Sequence, residues 1–114
     1  MELIFKKYHK SEQHTEKIYL IYDPAQNPTQ FTADVFRSIS NRNFIQGCEN
    51  LLIGPIIKDK KMTVRVLNSD GTETKSNSEV QKIFEAYLND QGYTSTYSSI
   101  TNIQEFGTVY HFTA

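Results

Sequence analysis

The sequence predicts a single α+β domain, on three observations. Val80, Ile83, Phe84, Tyr87 and Leu88 recur at i, i+3, i+4, i+7 and i+8, which puts five apolar side chains on one stripe of a helix. Short runs rich in β-branched and aromatic residues, separated by polar turns, fill much of the remaining chain and predict strands. No repeat, linker or low-complexity tract interrupts residues 1–114, so they are expected to form one domain.

The elements follow in order. Leu3 to His9 and Lys17 to Tyr22 are predicted strands, with the polar stretch Lys10 to Glu16 as the loop between them. Pro24 and Pro28 lack the backbone N–H that a sheet ladder needs and end the second strand. Thr32 can cap a short amphipathic helix reaching Arg42, with Asp34 at the positive end of its dipole and Val35, Phe36 and Ile39 on its apolar face. Leu51 to Ile57 and Met62 to Leu67 are strands joined by a charged turn at Lys58 to Lys61, and Asn68-Ser69-Asp70-Gly71 closes the second of them. The central helix is expected over about 80–91, with Ser76 and Glu79 at capping-box spacing and Gly92 as its C-terminal glycine. Tyr93 to Tyr97 and Thr108 to Phe112 are read as two closing strands around a turn near Gly107.

With 12 basic and 13 acidic residues the net charge is −1, so no global field draws the chain to nucleic acid or an anionic membrane, and neither is an expected partner. The N-terminal residues carry no apolar stretch long enough for a signal peptide or a membrane span, and a lone cysteine makes no internal disulfide. These features place the protein in the cytoplasm, the host cell's cytoplasm if the gene belongs to a phage. Cys48 precedes an apolar strand with no histidine beside it, which predicts a small buried hydrophobe rather than a nucleophile. His9, His14 and His111 are scattered without metal-ligand spacing, and no ligand series follows Asp70-Gly71. No cofactor or metal is expected.

Three stretches resemble the N-terminal half of the diaminopimelate epimerase family, amino-acid epimerases that work without pyridoxal phosphate. Phe31-Thr32-Ala33-Asp34 to Asn41-Arg42 is similar to the family's first helix, which begins Phe-Thr-Pro-Glu and ends Asp-Arg. Gly47-Cys48-Glu49-Asn50-Leu51-Leu52 is similar to its Gly-x-Asp-Gln-Leu-Leu strand entry. Arg65-Val66-Leu67-Asn68-Ser69-Asp70-Gly71-Thr72-Glu73 resembles its Arg-x-Phe-Asn-Ala-Asp-Gly-Ser-Glu, the most specific of the three. The resemblance implies a half-domain in which a mixed, mostly antiparallel sheet curves around one central helix. In the family two such halves face each other.

The departures from the family bear on chemistry. Each half of the family's active site offers a cysteine in a Cys-Gly-Asn-Gly run at the N-terminus of its central helix, one thiolate removing the α-proton and the opposite thiol returning one. Nine residues beyond Asn68 that position is Asn77, followed by Ser78-Glu79-Val80. A carboxamide is neither acid nor base near neutral pH. Glu79 in the first turn is expected to satisfy the helix end internally and to repel the substrate carboxylate that the family binds there. The family's His-Gly-Leu-Gly-Asn-Asp-Phe motif is replaced by Tyr8-His9-Lys10-Ser11 and a longer loop. Asn68 matches a substrate-contacting residue, and Asn50 stands where a glutamine has that role.

The reading these features favour is a non-catalytic protein-interaction module on an epimerase-like half-fold. By analogy it is placed among small inhibitors encoded by phages and mobile elements, such as anti-CRISPR proteins. Two alternatives stand beside it: one half of a split amino-acid racemase or epimerase, and a module that holds an amino acid at Asn50 and Asn68 without turning it over. The polar run from Thr72 to Glu79, with Glu73, Lys75, Asn77 and Glu79, is the expected interaction surface for a protein partner. Dimerisation through another face is left open.

Overall fold

The computed structural model describes residues 2–12, 14–40, 47–59, 61–93 and 103–113, the last segment by its backbone. Its elements are β1 (Glu2–Glu12), β2 (Thr15–Tyr22), a 3-10 turn (Pro24–Gln26), α1 (Ala33–Ser40), β3 (Asn50–Lys58), β4 (Lys61–Asn68), β5 (Glu73–Thr74), α2 (Ser78–Asp90) and β6 (Ile103–Thr113). They form one six-stranded sheet in the order β5-β4-β3-β2-β1-β6. β2 and β3 run parallel and every other neighbouring pair antiparallel, so the sheet is mixed and mostly antiparallel. A parallel pair needs a crossover, and the 3-10 turn and α1 lie in the connection from β2 to β3.

Side chains alternate across the strands and build a core on each face of the sheet. Leu3, Phe5, Leu20, Tyr22, Leu51, Ile53 and Leu67 pack with Val35 and Ile39 of α1. Tyr8, Tyr19, Ile21, Leu52 and Val66 pack with Val80, Ile83, Phe84, Tyr87 and Leu88 of α2. The predicted stripe is therefore buried as five consecutive contacts, each contributing about 1.5–3 kcal/mol of apolar burial. α2 covers one face, and α1 covers the other.

Local chemistry sets the ends of the elements. Thr32 Oγ1 accepts from the Val35 N–H at 3.3 Å and caps α1 as expected. The cap of α2 is Asn77, whose Oδ1 accepts from the Val80 N–H at 2.8 Å. Ser76 instead accepts from the Gln81 side chain, so the capping box expected of Ser76 and Glu79 does not form. Because the helix begins at Ser78, Asn77 rather than Ser76 stands in the cap position, and its carboxamide reaches the N–H three residues on. At the other end Gly92, with φ of 78°, and Tyr93 return N–H donors to Asn89 and Leu88.

α2 is also tied to the start of the β2–β3 connection. Asp23, 3% exposed, accepts from the Tyr87 hydroxyl at 2.5 Å and the Tyr93 hydroxyl at 2.8 Å on Oδ2, and from the Ala25 N–H at 2.9 Å on Oδ1. A buried carboxylate requires this kind of saturation.

Four further expectations change. The loop between β1 and β2 is far shorter than Lys10 to Glu16, because Lys10↔Lys17, Ser11↔Glu16 and Glu12↔Thr15 continue the ladder. β5 was not expected; Thr72 to Glu79 reads as wholly polar, yet Glu73 and Thr74 add a two-residue edge to β4. Gly107 is not a turn but lies inside β6, opposite a register shift between Lys6 and Tyr8 of β1; a glycine in a strand marks such a bulge. α2 runs over 78–90 rather than 80–91. Residues 41–42 of the first expected helix and 94–97 of the closing strand lie outside the described residues.

Candidate functional site

Of the residues singled out by the sequence, Asn50, Asn68 and Glu79 lie on the α2 face of the sheet. Asn50 opens β3 and lies directly opposite Asn68, the last residue of β4, and also beside Tyr19 of β2. Leu52 and Val66, two positions away, pack against α2, so by the period of the strand Asn50 and Asn68 share that face. Both amides already have intramolecular partners. The Asn50 side chain, 8% exposed, donates to the Leu67 carbonyl at 3.2 Å, and the Asn68 amide donates to Thr72 Oγ1 at 3.1 Å.

The Asn68–Gly71 turn is fixed from several directions. Gly71 N–H returns to the Asn68 carbonyl at 3.0 Å, and the Asp70 carboxylate accepts from the Thr72 N–H at 3.0 Å and its hydroxyl at 2.6 Å. These hydrogen bonds hold the Asp70 carboxyl below its ordinary range. Gly71 has φ of 89°, and a Cβ there would overlap the Ser40 carbonyl oxygen.

Glu79 is placed otherwise than expected. Its carboxylate does not guard the helix end but turns onto the sheet, where it accepts from the Tyr19 hydroxyl and pairs with Lys17 Nζ at 3.3 Å and Lys10 Nζ at 3.6 Å. Lys10 and Lys17 are Cα partners across β1 and β2, two like charges that repel at that spacing, and Glu79 sits between them. Burial alone would raise the Glu79 carboxyl, but the hydrogen bonds from Tyr19 and Lys17 and the charges of Lys10 and Lys17 outweigh it and hold the group below the usual carboxylate range.

Lys10, Lys17 and Tyr19 were absent from the sequence reading of the site. Lys10 reads as loop and Lys17 as a strand start, and more than sixty residues separate Lys17 from Glu79. Only the hairpin register brings them together.

The expected interaction surface divides. Glu73 is paired with Leu67, which faces α1, and its carboxylate takes a two-point hydrogen bond from Arg65 at 2.8 and 2.9 Å. The Arg65 guanidinium also lies 3.9 Å from the centre of the Phe36 ring. Glu73 therefore belongs to the α1 side, whereas Glu79 belongs to the α2 side; Lys75 and Asn77 are exposed between them.

Cys48 is half-buried against the α1-side cluster rather than fully buried. Burial pushes its thiol up, against a smaller downward pull from Lys7. Among the described residues no three His, Cys, Asp or Glu side chains gather as metal ligands would, and no helix is long and apolar enough to cross a membrane.

A mixed sheet with a long helix on one face is consistent with an epimerase-like fold. No family model matches the chain. Diaminopimelate epimerase 2 of Nostoc sp. is 32% identical over 89 residues, which is 77% of this chain and 30% of that protein. The match supports a distant relationship to diaminopimelate epimerase. The chain spans less than a third of that relative's length.

Proposed function

We propose that this chain is a non-catalytic, protein-binding module on an epimerase-like half-domain. One observation carries the reading. At the position where the resemblance puts the proton-transferring cysteine stands Asn77, and its carboxamide oxygen is bonded to the Val80 N–H. The group can neither remove nor return a proton, and it occupies one of the free donors that a substrate carboxylate would use. Cys48 offers no substitute, since it packs with the α1-side core and its thiol is raised by burial, which leaves little thiolate near neutral pH.

Asn50 and Asn68 support the same reading, because both amides serve the backbone and the turn of this chain. The polar, exposed Lys75 and Asn77 beside the start of α2 suit a transient protein contact in the cytoplasm better than a permanently buried one. Fold analogy adds the particular form of a phage or mobile-element inhibitor of a defence enzyme.

The test is proton exchange in deuterated solvent. The purified chain is expected to leave the α-proton of diaminopimelate and of common amino acids in place. Exchange above the no-protein control, abolished by Cys48→Ala, overturns the reading. The second reading, half of a split epimerase, draws on the partial match to a longer epimerase. It predicts exchange only when a cysteine-bearing second half is added.

A further inference from the structure

We propose that the outer edge of β4, from Lys61 to Arg65, accepts one strand from a partner protein, an extended segment in which acidic and apolar residues alternate. β5 is the neighbour of β4 at that end of the sheet, and its two residues pair only with Val66 and Leu67. Lys61 to Arg65 therefore have β3 on one side and, among the described residues, no strand on the other. Backbone direction identifies the open groups, because N–H and C=O alternate between the two sides along an antiparallel strand. The Asn68 N–H donates outward to the Thr72 carbonyl at 2.8 Å. A Cβ placed on Gly54 of β3 would lie 2.9 Å from the Thr63 carbonyl oxygen, so Thr63 points inward. By that alternation Met62 and Val64 present their N–H and C=O outward, as a template for a further strand.

Side chains define the strand that fits. Met62 and Val64 share the face of Val66, which α2 covers. That cover is lost toward the start of β4: Val64 is half-buried, Met62 is 42% exposed, and Ile57, its Cα partner on β3, is 64% exposed. On the opposite face Lys61 is exposed and forms no ion pair among the described residues. In sequence the turn from β3 to β4 carries Lys58, Lys60 and Lys61 against Asp59 alone. A strand with an acidic residue opposite Lys61 and an apolar one opposite Met62 meets both faces at once.

Other occupants fit less well. An edge lysine can serve to keep strands apart, but an edge protected in that way does not leave two large apolar side chains exposed beside open backbone groups. Two copies of this chain, paired antiparallel in full register along 61–65, would put Lys61 of each opposite Arg65 of the other, like charges at both ends. An anionic membrane meets the lysines but supplies no backbone for Met62 and Val64. The edge site rests on the proposed function only in taking a protein as its partner. Exchange of α-protons tests that function and strand pairing tests the edge, so either can fail alone.

The experiment titrates the full chain with a short fluorescent peptide of alternating glutamate and valine, capped at both ends, and follows amide hydrogen exchange by NMR. The peptide is expected to bind saturably, to slow exchange at the Met62 and Val64 amides and to leave that of Thr63, already in the ladder with β3, unchanged. Added salt should weaken it. Lys61→Glu is expected to weaken binding about 5-fold or more and to favour the matching lysine-valine peptide instead. Met62→Pro, which removes an outward N–H, should abolish binding, whereas Met62→Leu retains it. Lys61→Glu reads the charge independently should the proline impair folding. Absence of binding, equal binding of the lysine-valine peptide or of a peptide with N-methylated valines, or binding without slowed exchange at Met62 and Val64 overturns the proposal. So does slowing of the same amides by protein concentration alone, which assigns the edge to a second copy, or binding to anionic phospholipid vesicles but not to the peptide.

Discussion

Asn77 holds the first turn of α2 together with a single side-chain acceptor, and that role is separable from any chemistry at the same position. Asn77→Ala is expected to cost about 1 kcal/mol of stability in urea denaturation, while Asn77→Asp, which keeps the acceptor and adds a charge suited to the helix dipole, should cost little or none. An unchanged midpoint for the alanine variant would show that water or a neighbour replaces the cap. Gly71 is constrained more severely: its positive φ and its closeness to the Ser40 carbonyl both reject a side chain. Gly71→Ala should therefore destabilise the fold by more than about 1 kcal/mol, the opposite of the gain that this substitution brings at a compatible position.

Two carboxylates couple separate elements. Asp23 joins the end of β2 to α2 and the turn after it through Tyr87 and Tyr93. Tyr87→Phe leaves a buried carboxylate with one donor fewer, for an expected loss of about 1.5–3 kcal/mol. A double-mutant cycle with Tyr93→Phe should be non-additive, since both hydroxyls serve the same oxygen. Glu79 joins β1 and β2 to the start of α2, and its folded-state carboxyl lies below the ordinary value of 4.5. A depressed acid contributes stability that is fully present above its unfolded pKa and is lost as pH falls through its folded one. The stability difference between wild type and Glu79→Gln should thus be constant near neutrality and shrink below about pH 4.5. A difference that persists unchanged into that range would place the role of Glu79 in packing rather than charge.

At the scale of the molecule, one sheet carries two cores, and each helix closes one of them. Ile39 and Ile83, both fully buried, lie on opposite sides of that sheet. Truncation of either to alanine is expected to cost about 2–5 kcal/mol. If the chain is one domain, both variants should lower the midpoint of a single shared transition, followed alike by circular dichroism and tyrosine fluorescence. Two separated transitions would divide it. The strands that hold Asn50, Asn68, Lys10 and Lys17 are the same strands whose alternate residues fill these cores, so the positions of these four residues are fixed by burial on both faces.

The amino-acid pattern by itself determined the elements whose signals are local. The stripe from Val80 to Leu88 specifies its own period and buried face, Thr32 and Gly92 mark helix ends through hydrogen bonds to near neighbours, and Asp70-Gly71 specifies a turn. The pairing of Asn50 with Asn68 was suggested only as two separate positions, and β5, too short to have a propensity of its own, forms because β4 supplies a partner. The length of the β1–β2 hairpin and the bulge at Gly107 depend on register, which is set by what the opposite strand buries. The direction of Glu79 was decided by tertiary structure alone. Its position predicts an anion at a helix N-terminus, but two lysines and a tyrosine from strands distant in sequence offer three donors, and a carboxylate follows the strongest local field.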